Sequence, residues 1–288
     1  RSATYVERQA ELCAIAAHNF PALDLNHISV RNDDGVAYLE AMSPVDCIFL
    51  DPARRNEHGG KTVAISDCEP NVAELEGLLL SKANRIMIKL SPMLDLSQAL
   101  KELPHTQEVH IISVNNECKE LLLLLGQTAP EEIPVHCVNL STKGEQEKQL
   151  FVFTREQEQH SECSYTDTLG NYLYEPNASL LKAGAFRSIA AAYSVKKLHP
   201  NSHLYTSETQ IEGFPGRTFR IINRCSLNKK EIKENLSDLK KANITVRNFP
   251  ATVAELRKRI KLAEGGDTYL FASTLNDGQK ILIRCGKV

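Results

Sequence analysis

The chain has 288 residues, 42% hydrophobic and 24% charged, enough for two ordinary globular domains. Apolar runs such as Leu121–Leu125 fall far short of the roughly 20 residues of a membrane-spanning helix, and no signal peptide opens the chain. A membrane role is therefore not expected, and the cytoplasm is the expected location. The net charge of −2 hides a division: residues 1–175 hold 14 Lys+Arg against 27 Asp+Glu (−13), and residues 176–288 hold 20 against 9 (+11). A basic half beside an acidic one points to a polyanionic partner for the former. None of the eight cysteines lies within four residues of another, so no metal or redox pair is spelled out. They are expected to be free thiols in a reducing compartment, with Cys47 and Cys137 inside strands and buried.

The first half alternates strands and helices. Thr4–Glu7 ends a short strand, and Ala10–Asn19 is predicted helical, with Leu12, Ile15 and Ala16 on one face. Ile28–Val30 is a strand, Asp34–Met42 a short helix, and Cys47–Leu50 an apolar strand stopped by Asp51-Pro52. Asn71-x-x-Glu74 opens a helix to about Ser81. Arg85–Leu90 is a strand, Leu96–Leu103 a helix, Val109–Val114 a strand and Glu117–Leu125 a predicted helix. Val135–Leu140 and Gln149–Thr154 form a closing antiparallel pair. This rhythm implies a mostly parallel sheet covered on both faces. Arg155–Glu175 is polar, shows little periodicity and marks a boundary.

The second half changes rhythm. Ser179–Tyr193 is predicted as one Ala-rich helix, Thr218–Cys225 as a strand, Asn228–Lys241 as a charged helix and Ile244–Asn248 as a strand. Thr252-x-x-Glu255 caps a helix to Leu262, and Tyr269–Thr274 and Lys280–Cys285 flank an Asn276-Asp277-Gly278 turn. Helices with antiparallel strands suggest ferredoxin-like α+β units. The expected division is 1–155, 176–241 and 242–288.

Several acidic residues follow predicted strands, at the edge where open α/β sheets bind ligands. Glu7 is placed to accept from ribose hydroxyls. Asp33 or Asp34 can accept from an adenine amino group, and Asp34 can also cap the helix behind it. Asp51-Pro52-Ala53-Arg54-Arg55 delivers a carboxylate, a rigid proline and two arginines able to grip phosphate or carboxylate. The loop 56–61, with Gly59-Gly60, reads as a lid, and Lys89 at the next strand end as a substrate contact. In the basic half, Arg257, Lys258, Arg259 and Lys261 share a short helix and suit phosphate contacts. Lys229, Lys230, Lys233, Lys240 and Lys241 lie on another, partly as an ordinary solvated face. Tyr193, Phe214, Phe219, Phe249, Tyr269 and Phe271 read as core.

The order Glu7, Asp34, Asp51-Pro52 resembles that of class I S-adenosylmethionine-dependent methyltransferases. The runs Phe49-Leu-Asp-Pro-Ala-Arg-Arg55, Ile88-Lys-Leu-Ser-Pro-Met93 and Glu264-Gly-Gly-Asp-Thr-Tyr-Leu-Phe-Ala272 look like one bacterial family of that class, with a ferredoxin-like insert and a C-terminal THUMP-like domain. The resemblance covers nearly the whole chain. It implies a Rossmann-like sheet lacking its first strand, S-adenosylmethionine as cofactor, Glu7 on its ribose, Asp34 on its adenine and Asp51-Pro52 facing the methyl acceptor. It also implies a glycine-rich loop upstream of Arg1, without which the fragment would be inactive. Ala53 and Arg54 stand where related amino-methyltransferases carry an aromatic residue, which speaks against base N-methylation. Methylation of structured RNA is the expected function. A non-catalytic RNA-binding protein on a degenerate methyltransferase fold, or a methyltransferase of a small molecule or protein, are the alternatives. No metal is expected.

Overall fold

The computed structural model describes residues 2–54, 64–142 and 148–288. Arg55 and the loop 56–61 fall outside the described residues, as does the Arg54 side chain. The chain forms two compact units, 1–108 with 122–131, and 109–121 with 132–288.

The first unit carries the expected alternation. In order come β1 (Ala3–Glu7), α1 (Ala10–Ala22), β2 (Ile28–Asn32), α2 (Gly35–Ala41), β3 (Val45–Leu50), the short β4 (Ala53–Arg54) and β5 (Cys68–Glu69), α3 (Val72–Lys82), β6 (Ala83–Leu90) and α4 (Leu96–Glu102). β1 and β2 are parallel, with Glu7 opposite Asn32. β3 and β6 are parallel, with Leu50 opposite Ile88. Polar residues start the helices: Asp34 accepts from the Val36 and Ala37 amides, Asn71 from Ala73 and Asp95 from Gln98. Lys82 donates to the Glu40 and Met42 carbonyls (2.8 and 2.7 Å), satisfying acceptors at the end of α2. Alternate residues Ile86, Ile88 and Leu90 of β6 are buried.

Among the described residues, the pair β1–β2 stands as its own two-stranded sheet, and β3 is an end strand paired only to β6. This openness explains why Phe49 is 58% exposed despite its apolar run. It also corrects the expectation for Cys47, which is exposed, while Cys137 on an inner strand is buried. Burial pushes the Cys285 thiol up to about 12, as expected of an unreactive core cysteine.

β7 (Thr106–Val114) and β8 (Glu117–Leu125) are divided between the two units. β8 is a correction, because a helix was predicted there. Its burial alternates, with Leu121, Leu123 and Leu125 fully inside. A five-leucine run carries no periodicity that tells strand from helix. The deciding signal precedes it: Asn115 and Asn116 both adopt positive φ (51° and 65°), the backbone of a tight two-residue hairpin turn.

The second unit continues with β9 (Pro134–Leu140), β10 (Lys148–Thr154), α5 (Arg155–His160), β11 (Tyr172–Pro176), α6 (Ala178–Ala183), α7 (Arg187–Ala192), β12 (Lys196–Lys197) and β13 (Tyr205–Ser207). It ends with β14 (Gly216–Cys225), α8 (Lys229–Leu236), β15 (Asn243–Arg247), α9 (Val253–Ile260), β16 (Thr268–Thr274) and β17 (Lys280–Lys287). β9 and β10 are antiparallel as expected. The single helix predicted over Ser179–Tyr193 is two. Gly184 (φ 77°) ends α6 in the left-handed conformation, and α7 restarts with the amides of Phe186, Arg187 and Ser188 donating to Glu158. That acceptor comes from α5, a helix that the polarity of residues 155–175 concealed.

The seven-stranded sheet runs β12-β13-β11-β14-β17-β16-β15, antiparallel except for β15 on β16. It is strongly curled: Arg247 of β15 reaches Glu175 of β11 although three strands intervene in the order. One core holds Leu173, Leu204, Phe219, Phe271, Ile283 and their neighbours. The other packs α8 and α9 on the sheet through Leu236, Leu256 and Leu270. Phe214, Phe219 and Phe271 are core residues, as expected. Gly265 and Gly266 (φ 97° and 83°) make the turn into β16. Asn243 donates to the Gly266 carbonyl at 2.7 Å, and Lys241 packs where a Gly266 side chain would project.

His203 stacks on Phe186, with ring centroids 3.7 Å apart, and its Nδ1 is buried with no partner among the described residues. Burial, and then the charges of Lys197 and Arg247, push its pKa down to about 4. The native state refuses a proton that the unfolded chain accepts near pH 6.5, so this residue's contribution to stability declines from about pH 6.5 towards pH 4. His203→Gln is expected to flatten denaturant stability between those pH values. An unchanged pH slope, or an NMR titration of His203 near 6.5, contradicts the assignment.

Candidate active site

The first unit offers two candidate strand edges: the ends of β3 and β6, neighbours in one sheet, and the ends of β1 and β2, which form another. The parallel register that sets Leu50 opposite Ile88 brings the next residues forward together: Lys89 Nζ lies 2.6 Å from Asp51 Oδ2. Their side chains are 54% (Asp51) and 31% (Lys89) exposed, so the pair is held by the sheet yet open to a ligand. The sequence singles out both residues separately. Their pairing becomes legible only once β3 and β6 are known to be parallel neighbours in that register. Pro52 follows, half-buried, and turns the chain into β4, where Ala53 lies opposite Glu69 of β5.

At the end of β1, Glu7 Oε1 accepts from the Gln9 amide at 2.7 Å. Its other carboxylate oxygen has no partner among the described residues and remains available as an acceptor. The Glu7 carbonyl accepts from Asn32 Nδ2 (2.9 Å) and the Asp33 amide (3.2 Å), which locks the ends of β1 and β2 together. Asp33 Oδ1 accepts from the Asp34 amide at 2.8 Å. Asp34 Oδ1 is engaged as the cap of α2, at 2.9 and 3.0 Å from the Val36 and Ala37 amides. Both aspartates are exposed. One residue was not anticipated. Arg8, directly after Glu7, pairs with Glu69 at 2.8 Å and so ties the end of β1 to the strand beside Ala53. Nothing in its sequence context marks it, because its partner lies 61 residues away.

The predicted phosphate contacts of the second unit lie at the end of α9. Arg257 is folded back, donating to the Ala242 carbonyl at 3.3 Å and lying 3.9 Å from Glu264. Arg259 donates to the Leu227 carbonyl at 2.8 Å. Lys258 and Lys261 are exposed, and Lys261 closes the helix with φ 62°. All four sit where the helix dipole favours cations, so part of their role is local.

A parallel α/β unit with a carboxylate-rich strand edge, followed by a curled α+β unit, is the architecture of a methyltransferase with appended C-terminal domains. Residues 172–215 match a ferredoxin-like domain family, and residues 216–287 match a family described as THUMP domain-like. The chain is similar along 100% of its length to the crystal structure of a protein from Porphyromonas gingivalis W83 that carries a provisional methyltransferase name. The identity is 39%, the TM-score 0.89 and the coverage of that chain 72%. The chain belongs to this methyltransferase family, with ferredoxin-like and THUMP-like domains at its C-terminal end. No curated protein matches it. Among the described residues, no helix is long and apolar enough to cross a membrane.

Proposed function

We propose that the protein is an S-adenosylmethionine-dependent methyltransferase acting on structured RNA. The observation that carries the reading is the Asp51–Lys89 pair, held at the carboxyl ends of two parallel strands in a chain of a methyltransferase family. The residues present fit the cofactor: Glu7 offers a free carboxylate oxygen for ribose hydroxyls, and Asp33 and Asp34 offer acceptors one strand further for the adenine amino group. Bound S-adenosylmethionine supplies an electrophilic methyl group. The protein's part is positioning, since in-line transfer rewards an acceptor held near its attack geometry. Asp51 accepts a hydrogen bond from the methyl acceptor, Lys89 fixes the Asp51 carboxylate, and Pro52 stiffens the turn. Arg54 and Arg55 supply charge for a substrate phosphate.

RNA is favoured as substrate by the +11 charge of residues 176–288 and by the THUMP-like match. Arg257, Lys258, Arg259 and Lys261 are assigned to phosphate contacts. Charge reversal of the exposed Lys258 and Lys261 to Glu is expected to weaken RNA binding about tenfold at low salt and to lower the salt slope by about one per lost phosphate contact. Filter binding over a salt series measures both. Unchanged slope and affinity remove this helix from the interface. Calorimetric titration of S-adenosylmethionine into the full-length protein tests the cofactor assignment. Saturable binding at one site is expected, and no heat of binding from a folded protein refutes it.

A further inference from the structure

Glu175 is among the most deeply buried charged residues described, with its side chain 2% exposed. It lies opposite Arg217 on the neighbouring strand β14, and its Oε2 accepts from both Nε and Nη2 of that arginine. Its Oε1 accepts from Nη2 of Arg247 at 2.9 Å, brought over by the curl of the sheet. One buried carboxylate thus orients two guanidinium groups, which remain 38% and 36% exposed. The geometry leaves donors unspent. Nε and Nη2 of Arg217 are turned onto Glu175, which leaves its Nη1 without a partner among the described residues. Arg247 also donates from Nη1 to the Val246 carbonyl at 3.4 Å, and its Nε is buried, so its exposed part is the Nη1–Nη2 edge. Arg217 also lies over the Phe219 ring, 5.4 Å from its centroid, which fixes its plane.

As a structural tie this arrangement is a poor bargain. Taking a carboxylate out of water is costly, and a buried ion cluster seldom stabilises more than an apolar replacement of equal volume. Two arginines on one carboxylate leave a net positive charge, with the forks fixed in direction and partly open to solvent. Planar forks held in place suit phosphate oxygens, which accept two parallel N–H bonds.

We propose that Arg217 and Arg247 form a phosphate clamp for the RNA backbone, with Glu175 as the residue that positions them. The inference rests on the RNA reading above and adds a contact site to it. It uses residues other than those of α9, and it spans the junction of the ferredoxin-like and THUMP-like matches, since Glu175 belongs to the former and both arginines to the latter. Such a clamp fixes the register of a strand without reading its sequence.

The test uses the full-length protein, a defined RNA stem-loop, polyglutamate as an acidic protein mimic, and salt between about 50 and 200 mM. Arg217→Gln and Arg247→Gln are each expected to lower RNA affinity about tenfold and the salt slope by about one. Arg217→Lys keeps the charge and loses the fork, so affinity should fall while the slope holds. Glu175→Gln is the decisive variant. It makes the protein more positive, so a merely electrostatic surface would bind RNA more tightly, whereas a positioning residue requires weaker binding at an unchanged slope. Thermal melts accompany each variant, and the Lys and Gln exchanges stand in where a larger change prevents folding. Lower melting temperatures with unchanged affinity and slope would show a structural triad and overturn the clamp while leaving the RNA reading intact. Tighter binding by Glu175→Gln overturns the positioning role and with it the proposal. If wild-type protein shows no salt-sensitive binding to the stem-loop, or prefers polyglutamate, both the clamp and the RNA reading fall.

Discussion

Asp51→Ala is expected to leave S-adenosylmethionine binding within about threefold of wild type and to lower methyl transfer by about 10²-fold or more. Asp51 stands one residue past β3, beyond the strand ends that carry Glu7, Asp33 and Asp34, so its loss removes none of the assigned cofactor contacts. What is lost is orientation of the acceptor, where a displacement of about 1 Å can cost on the order of 10²-fold in rate. The ion pair is more than half exposed on the Asp51 side, so its direct contribution to folding is small and the variant should remain native. Asp51→Asn keeps the shape and an acceptor oxygen but loses the charge that holds Lys89, and should fall between the two. Cofactor titration with transfer of labelled methyl separates the two effects. Transfer at the wild-type rate by Asp51→Ala takes this residue out of the mechanism.

Glu7→Ala is expected to weaken S-adenosylmethionine binding by about 1.5–3 kcal/mol, the range for a hydrogen bond to a charged group. That corresponds to roughly ten- to 150-fold in affinity. Glu7 has two tasks, because its Oε1 also accepts from the Gln9 amide at the start of α1. Glu7→Gln separates them: its amide oxygen still serves Gln9, while the charge on the ribose contact is gone. Both variants should bind cofactor poorly, and only the alanine should also lose stability. Calorimetry and a denaturant melt read the two quantities. Wild-type affinity in either variant contradicts the ribose assignment.

Much of the first unit was legible because its signals are local. Asp34 and Asn71 cap the helices that their positions imply, and Asp51-Pro52 stops β3 where the apolar run ends. The failures share a different cause. β8 is hidden by a leucine run without periodicity, and the Asn115-Asn116 pair before it becomes decisive only once both residues are seen at positive φ. The break between α6 and α7 depends on Glu158, about thirty residues away in sequence, and the curl of the second sheet on Arg247 meeting Glu175. The individual residues of the site could be read, but their partnerships could not. Asp51 with Lys89 and Arg8 with Glu69 follow from register and long-range pairing, and no short window of sequence contains both members.

Methyl transfer to RNA can be measured directly in one assay. Full-length wild-type protein is incubated with radiolabelled methyl donor and a mixture of structured RNA and cellular protein, after which the fractions are separated and counted. Label is expected in the RNA, removable by ribonuclease, absent with Asp51→Ala, and falling as salt rises with the loss of phosphate contacts. Label recovered only in protein or small molecules, or none in any fraction while S-adenosylmethionine binds, would contradict it.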